Sequence, residues 1–412
     1  MSFSGCESIH VDTEKCIGCT LCTHRCPTQA LRVRGGKAVI FFERCVSCGE
    51  CIRVCPRHAM KGNADPLDEI LGKYKYTVAL PAPSLYGQFP GLNTRTPVLE
   101  GLKRIGFDDT FEVSAAAEVV SASTHYELQY GSIPHPIITT ACPVILRLVR
   151  IRFPSLLPHL LNYRSPTELA GRWGRRLAVK KTGLPPEDIG CVFISPCPAK
   201  YSSSKMPFFI PNSSLSAVVS MEEVVPRLAP VLKEVGDHEK YAQSSAIGVN
   251  WAMSGGQAEA VKEPNHLAAS GTENVIRILE ALENGKLSNV DFVELNACYP
   301  GCVGGSMTVE NPFIAKARLR HIMRNIGPVL PSGECPTQEM RWEYTPTPNP
   351  VMQLDDDINA AMEKMERIRA LCATLKGIDC GACGAPSCQA FAEDVVMGRA
   401  ERGDCVLDAG RP

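Results

Sequence analysis

No apolar run in this chain is long enough to cross a bilayer. The longest, around Phe153–Leu161 in IRFPSLLPHLL, is broken by prolines and falls far short of the roughly 20 residues a spanning helix needs. The opening MSFSGCESIH lacks both the basic and the apolar segment of a secretory leader, so a cytoplasmic, oxygen-poor setting is expected. Neither sign of charge dominates: 43 lysines and arginines stand against 44 aspartates and glutamates. That balance leaves no basic face for nucleic acid or an anionic membrane. What the chain has in quantity is cysteine, 20 among 412 residues. Without a leader, such a count does not describe a disulfide framework and reads as metal ligation.

Cys16, Cys19, Cys22 and Cys26-Pro27, then Cys45, Cys48, Cys51 and Cys55-Pro56, form the C-x2-C-x2-C-x3-C-P run twice. In such pairs the fourth cysteine of each run ligates the other cube. Cys16, Cys19, Cys22 and Cys55 are therefore expected to hold one [4Fe–4S] cluster, and Cys45, Cys48, Cys51 and Cys26 a second. A zinc site would show tetrahedral pairs without the three-cysteine rhythm or the trailing proline. Between the runs, LRVRGGKAVIFFERC alternates into a hairpin around Gly35-Gly36.

At the other end, Cys380, Cys383, Cys388 and Cys405 read C-x2-C-x4-C-x16-C, with glycine and proline to bend the backbone around a third cube. Zinc is the weaker alternative there. INAAMEKMERIRALCATL just before it has helical periodicity and reads as a connector helix. The expected organisation is a ferredoxin-like α+β domain over 1–66, a central α/β domain over 72–345, a linker and helix over 346–376, and a small iron–sulfur domain over 377–412.

In the middle, the apolar runs YTVALPAP, FEVSAAA, PIITTAC, CVFISPC and FVELNAC read as strands ending in loops. Ser165-Pro166-Thr167-Glu168 is a capping box, Ser270-Gly271-Thr272-Glu273 reads as a second, and Gly183 and Pro185 stop the first helix. Ligands of open α/β sheets gather beyond the carboxyl ends of strands. Cys142, Cys197 and Cys298 each follow a strand-like run, with Cys302 close behind, so the four are expected to converge.

TTACP, SPCPAK and ELNACYPGC resemble, in order, the TSCCP, MPC-x2-K and E-x-M-A-C-x2-G-C motifs of the [FeFe]-hydrogenases. Leu80–Ser84 (LPAPS) and WAMSGGQAEA at 251–260 resemble the family's APS and FGATGGVMEA segments, so the resemblance spans nearly the whole chain. It implies a catalytic domain of two parallel or mixed-sheet lobes closing on a buried H-cluster, a [4Fe–4S] cube linked to a diiron unit with CO, cyanide and a dithiolate. Cys142, Cys197 and Cys298 would hold the cube and Cys302 would bridge to the diiron unit. Lys200 would donate to one cyanide, with Ser84 and the backbone near Pro83 serving the other. Ala141, Ser195, Asn296, Trp251 and Ser254 would line the cofactor. Taken alone, Lys200 also reads as a solvated loop charge, and Ser254–Gly256 as a tight turn.

The departures from the family pattern matter as much. Ala141 stands where fast members carry a proton-passing cysteine, and Ser203 where they carry a glutamate. Only Glu127 remains of an acidic pair. Ser195 and Asn296 replace methionines, and Trp251 a phenylalanine. These changes resemble the sensory, low-turnover branches, most of all group D. Glu127 and Glu294, with His125 and Tyr299 nearby, are the candidates for a proton relay, and each also reads as a satisfied buried polar group.

Two function classes follow. One is slow, reversible H2 oxidation and proton reduction in a hydrogen-sensing role, with H2, protons, a ferredoxin-like or signalling partner and diiron-maturation proteins as partners, and a homodimer as a compatible state. The other is a non-catalytic iron–sulfur protein, assembly-factor-like or redox-sensing, with a cube and no diiron unit.

Overall fold

A computed structural model describes residues 7–237, 243–327 and 339–407. Cys6, His238 and Cys335, to which the sequence gives no role, lie outside them. The central unit, Asn63–Pro348, is built on two parallel sheets. In the first, Tyr76–Pro81 and Ile189–Ser195 pair in parallel at the centre, flanked by Asp109–Thr110 and Ala217–Ser220. Ile189–Ser195 is buried along its whole length, as a parallel strand covered on both faces must be. In the second, Phe292–Asn296 lies between His266–Ser270 and Ile137–Ile138, again parallel.

One expected strand is a helix. FEVSAAA contributes only its first residues to an extended segment after Asp109–Thr110, and Val113–Tyr130 is helical. Three successive alanines, the strongest helix formers, outweigh the apolar pattern. Ser165 caps Pro166–Thr182 as its motif predicts, accepting from the Glu168 backbone N–H, and Gly183 ends it at φ +71°. The second box does not form. Ser270 is the last residue of a strand, and Gly271 at φ +89° takes the N-cap of Thr272–Glu283. Beneath the first sheet the fully buried Arg95 and Glu112 pair at 2.9 Å, and Tyr86 Oη donates to the same carboxylate at 3.0 Å.

The other unit joins the two ends of the chain, Met1–Gly62 and Asn349–Pro412. Ile9–Val11 pairs antiparallel with Met60–Gly62, and Leu31–Arg34 with Lys37–Ile40. Gly35 and Gly36 close the second pair at φ +55° and +74°, the left-handed conformations a two-residue hairpin requires. Cys388–Val396 packs on Ile358–Thr374, the connector helix, which Asp357 caps through the Ala360 N–H. Among the described residues no helix is long and apolar enough to cross a membrane.

Candidate metal centres

All three parallel strands of interest deliver a cysteine just past their carboxyl ends. Ile137–Ile138 leads to Cys142 and Ile189–Ser195 to Cys197, each the N-cap of a helix with proline in its first turn. Phe292–Asn296 leads to Cys298, and Cys302 starts a 3-10 turn, Cys302–Gly304. The four thiols share one field. Burial pushes Cys197 up to about 12, and the charges of Cys298 and Cys142 push the same way, against Lys200. Burial raises Cys302 further, with Cys298, Cys197 and Cys142 adding to it.

Lys200 faces all of this. Burial lowers its ammonium from the usual range, while Cys197, Cys302, Cys142 and Glu168 pull it back. Its Nζ donates to the Ala141 carbonyl at 3.1 Å. Ser195 fixes the neighbouring loop, its hydroxyl donating to the Cys197 carbonyl at 2.8 Å and accepting from the Cys197 N–H at 3.2 Å. Behind Cys298–Cys302, the Ser254 N–H donates to the Pro300 carbonyl at 2.9 Å. Gly301 at φ +108° lies so close that a Cβ there would stand 2.5 Å from the Ser254 nitrogen. Trp251 Nε1 donates to Ser121 Oγ at 2.9 Å.

Pro83 and Ser84 open the 3-10 segment Pro83–Gln88, which lies against Cys302–Gly304. The Ser84 hydroxyl is buried without a partner among the described residues, as is that of Ser306. A buried hydroxyl without a partner costs free energy, and a bound group with acceptor atoms removes the cost. The set of four thiols, one ammonium and two unpaired hydroxyls therefore fits an anionic sulfur- and acceptor-rich cofactor.

The two acidic relay candidates sit differently. Glu294, fully buried, accepts from the backbone N–H groups of Gly255, Gln257 and Ala258 at 3.0 Å each and from Asn296 Nδ2 at 2.7 Å. Burial holds it above the usual carboxyl range against those donors. Glu127 accepts from Arg341 at 2.7 Å and from Tyr163 Oη at 3.1 Å. A cavity lies beside Ala141 and Lys200, lined also by Thr140, Tyr163, Glu168 and Ser203. Through Tyr163 it is joined to Glu127 and thence to the half-exposed Arg341. The sequence motifs did not single out Tyr163, Glu168 or Arg341; Glu168 appeared only as a capping residue. His125 bonds the Val261 carbonyl at 2.9 Å, and Tyr299 is exposed.

For Glu127, burial raises the pKa but Arg341, Ser132 and Tyr163 together hold it below the usual value of 4.5. A depressed carboxyl stabilises the fold above its unfolded pKa and loses that contribution as pH falls through the folded one. Glu127→Gln is thus expected to destabilise the protein at pH 7, with the melting-temperature gap to wild type narrowing as pH is lowered toward 4. A gap that widens would contradict the assignment.

In the terminal unit the cysteines of the two runs line two cavities. Cys16, Cys19, Cys22 and Cys55 line one cavity. Cys26, Cys45, Cys48 and Cys51 line another. Burial raises Cys22 to about 11, and Cys19, Cys16 and Cys55 add to it. Burial likewise raises Cys48, which Cys26 and Cys45 face. Backbone N–H groups of Ala38, Ala30 and Ala59 point at the sulfurs of Cys16, Cys26 and Cys55 from 3.2 to 3.3 Å, donors that suit cluster sulfur. Cys383 is raised by burial, with Cys405 and Cys380 adding to it, and the Cys388 N–H donates to Asp379 at 2.7 Å. Among the described residues no three His, Cys, Asp or Glu side chains close on one point as the ligands of a single zinc would.

Residues 75–306 match the family described as iron only hydrogenase large subunit, C-terminal domain. Residues 8–56 match the 4Fe-4S dicluster domain, and 375–407 an Fe-S cluster family. Iron hydrogenase 1 of Clostridium pasteurianum is 24% identical over 379 residues, covering 74% of this chain and 66% of the relative. The periplasmic [Fe] hydrogenase large subunit of Nitratidesulfovibrio vulgaris is 31% identical over 210 residues, covering 47% and 50%. The chain thus spans about half to two thirds of the length of these relatives. In fold, the [FeFe]-hydrogenase HydA1 of Chlamydomonas reinhardtii superposes with a TM-score of 0.53 at 17% identity, covering 68% of this chain and 99% of that one.

Proposed function

The chain belongs to the iron-only hydrogenase family, and on that premise we propose that it interconverts H2 with two protons and two electrons, slowly, in a hydrogen-sensing role like that of the group D branch. The observation that carries this reading is the convergence of Cys142, Cys197, Cys298 and Cys302 on Lys200 beyond the carboxyl ends of three parallel strands. When bound, the H-cluster supplies the iron at which H2 is cleaved or formed. The four cysteines would hold it, and Lys200 and Ser84 would be the donors for its negative ligands. The cysteines of the terminal unit would hold cubes that supply one-electron transfer toward a ferredoxin-like or signalling partner, and maturation proteins would supply the diiron unit.

The slow rate follows from Ala141, whose methyl group neither gives nor takes a proton. The cavity beside it offers a detour. A proton at Lys200 meets the polar wall of that cavity, then Tyr163, whose hydroxyl burial and Glu127 hold up to about 12, so that it remains a donor at neutral pH. Tyr163 hands on to Glu127, and Glu127 to the surface beside Arg341. Glu294 does not line this cavity and acts as the acceptor that holds Gly255–Ala258. Ala141→Cys is expected to raise turnover by about tenfold or more, within the range of one general acid–base group. Tyr163→Phe in the native background should lower it several-fold. Unchanged turnover in both variants would remove the detour and the thiol argument together.

The test of the function is an anaerobic infrared spectrum of protein supplied with a synthetic diiron precursor, under argon and then under H2. CO and cyanide bands that shift with H2 are expected. No bands in protein whose cubes are intact would leave an assembly-type or redox-sensing protein instead.

A further inference from the structure

The third iron–sulfur site is seated on the wall of one of the other two. Val33 and Thr20 line the cavity ringed by Cys16, Cys19, Cys22 and Cys55, and line no part of the one ringed by Cys26, Cys45, Cys48 and Cys51. The Val33 N–H donates to the Gly384 carbonyl at 2.8 Å, one residue beyond Cys383. Arg34 donates to the Cys383 carbonyl itself at 3.1 Å. The approach is so close that a Cβ on Gly384, at φ +80°, would stand 2.0 Å from the Val33 carbonyl oxygen, and one on Gly381 would stand 3.3 Å from Thr20 Oγ1. Asp394 binds Arg32 at 2.5 Å and Arg34 at 2.8 Å, and Glu393 binds Arg44, beside Cys45, at 2.5 Å, so their helix braces both cavities, while the backbone of Cys383–Gly384 meets Val33 and Arg34.

We propose that the C-terminal cube exchanges electrons directly with the cube of Cys16, Cys19, Cys22 and Cys55, and not with the cube of Cys26, Cys45, Cys48 and Cys51, so that the chain's ends form one three-cube relay with its branch at Val33–Gly384. In each step one electron leaves the reduced cube of Cys16, Cys19, Cys22 and Cys55 and enters the oxidised cube of Cys380, Cys383, Cys388 and Cys405. No bond is made and no proton moves. The hydrogen bond from Val33 to Gly384 places ligand backbone against cavity wall, which is the short covalent and hydrogen-bonded path such a transfer needs.

The test uses the full chain with cubes reconstituted, no diiron unit added and dithionite as reductant, so its outcome is independent of any reaction with H2. Electron paramagnetic resonance of the reduced protein should show magnetic coupling of the C-terminal cube. Coupling is expected to vanish in Cys16→Ser/Cys19→Ser, checked by loss of about four irons per chain, and to persist in Cys45→Ser/Cys48→Ser with the same loss. Gly384→Val keeps every ligand residue, and because its Cβ would stand 2.0 Å from the Val33 carbonyl oxygen it is expected to push the two segments apart, keeping the iron content while weakening the coupling. The reverse pattern between the two double variants, coupling unchanged in Gly384→Val, or no coupling in the wild type would overturn the proposal.

Discussion

Lys200→Met is expected to lower hydrogen turnover by at least about 100-fold, the loss typical when one preorganised donor is taken from a dry site. The substitution keeps the length and apolar stem of the side chain and removes only the charge and the hydrogen bond to Ala141. All four cysteines remain, so the iron content of the central site should hold. The infrared bands of protein given the diiron precursor should weaken or move, because an anionic group has lost the ammonium facing it. Lys200→Arg is not expected to restore the rate, since a planar fork does not occupy the position of a compact ammonium. Turnover within threefold of wild type would mean that Lys200 is a structural strut between Cys197 and Ala141.

Asp394→Ala carries the largest expected loss of stability, about 3–5 kcal/mol for a buried charge left without its partner. Arg32 and Asp394 have fully buried side chains, and the carboxylate meets Arg32 Nε at 2.5 Å, Arg32 Nη2 at 3.1 Å and Arg34 Nη2 at 2.8 Å. Without it Arg32 retains the carbonyls of Gln29 and Leu31 and the face of the Phe41 ring, but no counter-charge among the described residues. Anaerobic denaturation of the full chain, followed by loss of cluster absorbance, should register the change as an earlier transition of the terminal unit. Limited proteolysis should release a fragment containing Cys388–Val396 sooner. Asp394→Asn, which keeps an acceptor, should fall between the two. A loss under about 1 kcal/mol would show that water reaches the guanidinium.

The iron–sulfur character of the two ends was legible because cysteine spacing is dictated by the cofactor. A cube needs its first three sulfurs within one tight loop, and the trailing Cys-Pro of each run is free to cross to the other. The convergence of Cys142, Cys197 and Cys298 was legible for a related reason, since parallel strands present their carboxyl ends on one edge. FEVSAAA misled because apolar periodicity over seven residues is the same in a buried strand and a buried helix, and only the alanine content separates them. The route from Tyr163 through Glu127 to Arg341 left no trace in the sequence. Arg341 is 214 positions from Glu127, and neither residue shows a local pattern that requires the other. The seat of the third site was equally silent, for Asp394 and Arg32 are ordinary charges until the fold brings them together.

That pairing also sets a timetable. Arg32 and Asp394 are separated by 362 positions, so the arginine leaves the ribosome long before its carboxylate is made. At about 5–20 residues per second the interval is roughly 20–70 s. Throughout it the hairpin of Leu31–Arg34 and Lys37–Ile40 must present an unmatched cation to water, and the central unit must fold meanwhile. The terminal unit is therefore completed last although it begins first, and a nascent chain stalled before Asp394 would carry the Cys16–Cys55 motifs on a half-built support.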